Sequence, residues 1–144
     1  MGIELTDDIL KGWKVVVVDD EWDNLFIAQS LLESYGAEVH TAMNGEEGIA
    51  LIKQVLPLFV VADVSMPKMD GQQMVKHLKA DATTRDIPVI ALSAGSMLED
   101  RDQALAVGFH NYLIKPLTPQ WFVSDLLNML ADVPSIAQGL ANGR

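Results

Sequence analysis

Apolar residues fall along this chain in two alternating rhythms. Three short runs, KVVVV (14–18), LFVVA (58–62) and IPVIALS (87–93), are apolar without alternation, the pattern of strands buried on both faces. A shorter stretch, AEVHTA (37–42), follows Tyr35-Gly36, and NYLIK (111–115) follows Gly108. Between the runs, apolar positions recur at helical spacing. Leu25, Ala28, Leu32 and Tyr35 share one face, as do Ile49, Ile52 and Leu56. Met74 pairs with Leu78, and Phe122, Leu126, Met129 and Leu130 form a last amphipathic helix. Asn44, with Glu47 three residues on, and Thr118 stand where helix N-caps are expected, as does Asp70. Gly36 and Gly108 stand where helices end.

The order is therefore strand then helix, five times over with short connections. This predicts an α/β fold, a doubly wound five-stranded parallel sheet with helices on both faces. The periodic region spans residues 13–132, preceded by an acidic N-terminal arm at 1–12. After about Val133, PSIAQGLANGR loses its period, so 133–144 reads as a frayed tail or the start of a linker. No internal repeat or second domain is visible.

Composition narrows the function classes. Ten Lys and Arg against twenty Asp and Glu leave a net charge of −10, which argues against a direct nucleic-acid or anionic-membrane surface. The absence of cysteine excludes disulfides, zinc–thiolate sites and thiol catalysis, and a cytoplasmic setting is the default. No apolar stretch approaches the roughly 20 residues of a membrane span. His40, His77 and His110 lack ligand spacing and read as structural or surface residues.

In a doubly wound sheet, ligands bind beyond the carboxyl ends of the strands, so the residues that end each run are the informative ones. The first run ends on Asp19-Asp20, followed by Glu21; the third on Asp63; the fourth on Ser93; the fifth on Lys115-Pro116. Each feature alone has an ordinary structural account, as a solvated strand end or a turn. Their occurrence at four strand ends does not. Crowded carboxylates raise one another's pKa unless a cation relieves them, and hard oxygen donors without His or Cys suit Mg²⁺. Lys115 is placed to neutralise a transferring phosphoryl oxygen and Ser93 to hydrogen-bond one. Asp63, standing alone, is the best nucleophile among the acids.

VVVVDDE, DVSMPKMDG, ALSAGS and YLIKP, in this order and spacing, resemble the receiver domain of bacterial response regulators, the CheY-like family of two-component signal transduction. The resemblance runs from about Lys14 to Ala131. It implies a flavodoxin-like (βα)5 fold with strand order 2-1-3-4-5. It also implies that Asp63 accepts a phosphoryl group from a histidine kinase or a histidine phosphotransfer protein. Mg²⁺ (or Mn²⁺) would be held by Asp20, Asp63 and the main-chain carbonyl of Ser65, with Asp19 acting through a water. Lys115 would pair with the phosphoryl group, Pro116 would follow a cis peptide, and Ser93 with Tyr112 would form the switch. A downstream protein of unknown identity would read the surface of the fourth helix, fifth strand and fifth helix, through which the chain is a monomer or a weak homodimer. Asn24, four residues after Asp20, is similar to receivers of hybrid kinases and single-domain regulators. Ser65 and Gly95, each two residues past a site residue, are small, which implies easier access for the water that dephosphorylates the site.

The chain then catalyses nothing beyond its own phosphorylation and dephosphorylation. Two rivals within the fold are a phosphorylation-independent interaction module and a receiver fragment of a hybrid histidine kinase. A haloacid-dehalogenase-like phosphohydrolase needs a second acid two residues after its nucleophile, where this chain has Ser65. A flavodoxin-like electron carrier needs a Ser/Thr/Gly-rich phosphate loop after the first strand, where this chain has acids.

Overall fold

The structure is a computed structural model that describes residues 4–66, 68–93 and 101–142. Pro67 and Gly95 lie outside the described residues. Five strands form one parallel sheet: β1 (Lys14–Val18), β2 (Glu38–Ala42), β3 (Phe59–Asp63), β4 (Val89–Ser93) and β5 (Asn111–Ile114). Their order is β2-β1-β3-β4-β5, as expected. The helices are α1 (Trp22–Ser34), α2 (Gly45–Val55), α3 (Gly71–Ala80), α4 (Arg101–Val107), α5 (Phe122–Leu130) and α6 (Pro134–Asn142).

The unalternating strands are explained by two cores, one on each face. Val15 and Val17 of β1 join Phe59, Val61, Ile90 and Leu92 with the apolar sides of α1 and α5. Val16 and Val18 join Val60, Ala62, Val89 and Ala91 with α2, α3 and α4 on the other face. Every residue of β3 and β4 is buried, so the two strands that carry Asp63 and Ser93 are the most enclosed in the sheet. β5 is an edge strand, half-buried along most of its length and exposed at Ile114. His110, just before it, places Nε2 at 2.7 Å from Asp132 and 3.1 Å from the Met129 carbonyl. This contact ties the edge to the end of α5, a structural role.

Capping agrees with the sequence at two helices and departs from it at a third. Asn44 Oδ1 accepts the Glu47 amide at 3.0 Å. Asp70 and Gln73 form a reciprocal capping box at α3. Thr118 does not cap α5. Its carbonyl accepts the amides of Trp121 and Phe122 in a turn that delays the helix to Phe122. α2 ends on Leu56 in the left-handed region, φ 51°, a position that glycine commonly fills.

The largest departure is at the two ends. Residues expected to fray instead form α6, and Ile136 is fully buried in the α1–α5 core. The N-terminal arm packs there too: Leu10 is fully buried and its amide donates to the Tyr35 carbonyl at 2.9 Å. Trp13 meets Phe59 edge-on at 6.4 Å between centroids and Gly139 at its ring. Leu5, Ile9 and Trp13 pack beside Leu10, and Val133 and Leu140 flank Ile136 at helical spacing, a short stripe that the Pro, Gly and Asn of the tail obscured in the sequence.

The turn from β3 to α3 sets the approach to the site. The Gly71 amide donates to the Val64 carbonyl at 2.9 Å, and a Cβ at Gly71 would overlap the Asp63 carbonyl oxygen. Glycine is therefore required by close packing of helix onto strand end. Substitution Gly71→Ala is expected to cost about 1–3 kcal/mol, measured by urea denaturation, and to shift the amide resonances of Asp63 and Val64.

Candidate functional site

The expected rim exists. Parallel register places β1, β3, β4 and β5 with their carboxyl ends together: Val18 pairs with Ala62, Asp63 with Leu92, and Ser93 with Ile114. Chain leaving each strand at this edge delivers Asp19, Asp20, Asp63, Ser93 and Lys115 to one cleft. Asp19, Asp20, Glu21 and Asp63 have carboxylate oxygens all within 4.8 Å of one another.

Among the described residues, Lys115 is the cation of this cluster. Its Nζ donates to Asp63 Oδ2 at 3.0 Å and to Glu21 Oε1 at 3.3 Å. Asp19 Oδ2 lies 3.2 Å away, within ion-pair range. Asp19 is fully buried and Asp63 is 5% exposed, whereas Asp20 and Glu21 are open to solvent. Backbone amides hold the two buried acids from below. Glu21 N donates to Asp19 Oδ1 at 2.9 Å, and Ser65 N donates to Asp63 Oδ1 at 3.2 Å. Asp19 Oδ2 makes no hydrogen bond. Among the described residues, its one polar neighbour of opposite charge is the Lys115 ammonium, shared with two other acids, and its place among three other carboxylates is what a hard divalent cation would relieve.

Electrostatics point the same way. Burial lifts the Asp63 pKa above the ordinary carboxylate value, the neighbouring Asp19 charge adds to this, and the Lys115 and Ser65 hydrogen bonds oppose it without prevailing. Asp20 is also raised, first by partial desolvation at the lip of the cleft, then by its hydrogen bond with Asp63 and that group's charge. For Lys115, burial pulls downward, but the Asp63 hydrogen bond and the charges of Asp19 and Asp63 outweigh it and raise its pKa. The ammonium is fully charged at neutral pH, and the acids are crowded beyond what one ammonium offsets.

The remaining expected residues lie around this cluster. Ser93 is fully buried at the end of β4, and its carbonyl accepts the Lys115 amide at 2.7 Å. Tyr112 is half-buried on β5 and packs against the α2–α4 core. Ser65 is exposed above Asp63. The Lys115–Pro116 peptide is cis. Trp22 is 63% exposed and stacks on Phe26 at 5.2 Å. Sequence reasoning missed the involvement of Glu21 with Lys115, separated by 94 positions. The only signal was its place directly after the acid pair.

The profile of the response regulator receiver domain family matches residues 15–127. This chain is a member of that family. The uncharacterized 14.6 kDa protein in the sodA1 3′ region of Leptolyngbya boryana is 39% identical over 105 residues, 73% of this receiver chain and 80% of that protein. The probable transcriptional regulator ycf27 of Porphyra purpurea is 35% identical over 127 residues, 88% of this chain but 51% of the regulator. The chain thus spans about half the length of that relative. Among solved structures, the chemotaxis response regulator CheY4 of Vibrio cholerae aligns with a TM-score of 0.76 at 29% identity, covering 82% of this chain and 98% of that one. The receiver family, its CheY-like fold and its general function in two-component signalling, phosphorylation on an aspartate, therefore apply to this chain. No described helix is long and apolar enough to cross a membrane.

The raised Asp63 pKa fixes a sign. The folded state holds a proton at pH values where the unfolded chain has lost it, so this contribution is present below the ordinary carboxylate pKa and is lost as pH rises through the folded value. Asp63→Asn is expected to stabilise the metal-free receiver at pH 7 by on the order of 1 kcal/mol, with little gain at pH 4. Urea denaturation of both proteins across that range tests it; an equal difference at both pH values would refute it.

Proposed function

We propose that Asp63 is the phosphoryl acceptor of this receiver and that Asp20, Asp63, Ser65, Asp19, Ser93, Lys115 and Tyr112 carry the reaction and its readout. The supporting observation is the arrangement of Lys115, which donates to Asp63, the buried carboxylate that ends the central strand. The donor is a histidine kinase or a histidine phosphotransfer protein. An Asp63 carboxylate oxygen bonds to phosphorus as the phosphorus–nitrogen bond to the donor imidazole breaks. The electron pair of that bond stays on the imidazole, which takes up a proton, and Asp63 becomes an acyl phosphate.

The donor set fits Mg²⁺ or Mn²⁺: hard oxygens without nitrogen or sulfur, and one buried oxygen lacking a hydrogen bond. Asp20, Asp63 and the Ser65 carbonyl would hold the ion, with Asp19 acting through a water. When bound, it supplies positive charge that offsets the crowded acids and the phosphoryl oxygens. Lys115 then turns its ammonium from the carboxylates to a phosphoryl oxygen.

Phosphorylation adds roughly −1.5 to −2 charges at the rim. Ser93 reorients toward one of the new acceptor oxygens, and Tyr112 follows into the space released. This biases two states of the α4-β5-α5 face. Leu105, Ile114 and Trp121, at 46%, 57% and 55% exposure, provide apolar contact area on or beside these elements. A downstream protein reads this face in the cytoplasm, and the chain is a monomer or a weak homodimer through it. Residues 13–132 form the switching unit, with the arm and α6 packed on as flanks.

Incubation with acetyl phosphate and Mg²⁺ is expected to add one phosphoryl group per chain by intact mass. Asp63→Asn is expected to abolish the addition. Equal incorporation in the Asp63→Asn variant, or none in the wild type, would overturn this reading.

A further inference from the structure

Glu21 is the one acid of the cleft that the acceptor chemistry does not use. It is 64% exposed in its side chain, yet it is not loose. Its backbone is pinned by the 2.9 Å bond from its amide to Asp19 Oδ1. Its Oε1 accepts Asn24 Nδ2 at 3.1 Å, and the same oxygen accepts Lys115 Nζ at 3.3 Å. Asn24 lies in the first turn of α1, so the helix start aims this carboxylate at the ammonium. Lys115 itself is 14% exposed in its side chain, with Asp19 and Asp63 on its inner side and Glu21 on its outer side.

We infer that Glu21 is a positioning residue that competes with an incoming phosphoryl oxygen for Lys115. An anion reaching the cleft must draw the ammonium away from Glu21 and enter beside a negative charge that stays within a few ångströms. Both effects oppose binding. Glu21 thereby weakens the hold of Lys115 on an anion in the cleft, without ligating the metal. Asn24 acts one step further out, holding Oε1 in line. An exposed ion pair contributes modestly, so removal is expected to change anion affinity by about two- to fivefold.

This inference rests on the phosphoacceptor reading, and the experiment separates the two. Beryllofluoride is titrated at saturating Mg²⁺ into wild type, Glu21→Gln, Glu21→Asp and Asn24→Ala, followed by amide NMR shifts at Asp63, Val64 and Ser93. Absence of a Mg²⁺-dependent response in wild type defeats the phosphoacceptor reading itself. Given that response, Glu21→Gln is expected to bind the anion about two- to fivefold more tightly, Glu21→Asp to shift the same way because it no longer reaches Lys115, and Asn24→Ala to shift less. Anion affinity unchanged or weakened in Glu21→Gln overturns the inference. So does Glu21→Asp behaving as wild type, which assigns the effect to general charge. Mg²⁺ titrated alone gives a further check: a tenfold loss of metal affinity in Glu21→Gln makes Glu21 a metal ligand and overturns its role as competitor.

Discussion

The Lys115 ammonium meets carboxylate oxygens from Asp63 at 3.0 Å, Asp19 at 3.2 Å and Glu21 at 3.3 Å, and two of these acids are closed off from solvent. Burying an ionised carboxylate costs several kcal/mol unless it is paired and hydrogen-bonded. Placing β5 beside β4 is what brings this ammonium to the acids at the ends of β1 and β3. Strand order, parallel register and the tie between His110 and the end of α5 all serve that one placement. The arrangement is left unbalanced by its own residues, since among those described one cation faces four acids.

That imbalance connects the resting cleft to signalling. A site satisfied by its own residues would have no reason to accept a divalent cation or an anionic group. Here the surplus of acid favours the first, and the mobile allegiance of Lys115 favours the second. Under the proposed switch, any bias of the α4-β5-α5 face is bounded by the difference in how Lys115 and Ser93 are engaged before and after modification.

Much of this was legible in the residues, and the reasons it was legible differ by element. Strand β1 was readable residue for residue because KVVVV is apolar without alternation, and β3 and β4 within one or two positions for the same reason. The rim residues were readable because parallel strands must end together, so position in the chain translated into position in space. The family motifs supplied roles that spacing alone could not. What escaped were features set by tertiary contact. Ile136 belongs to a short helical stripe with Val133 and Leu140, which two turns among Pro, Gly and Asn made too brief to stand out, and Leu10 sits in an arm without regular structure. Thr118 had the right chemistry for a cap, but the chain turned once more before the helix began. The pairing of Glu21 with Lys115 depends on side-chain reach across 94 positions, which no local pattern encodes.

The arm and α6 meet near Trp13 and Gly139, beside the residues that lead into β1 and β3. That is the amino end of the sheet, the pole opposite the acid cleft. Both flanking segments therefore meet away from the chemistry. A partner seated on the Trp13–Gly139 seam would leave the cleft approachable.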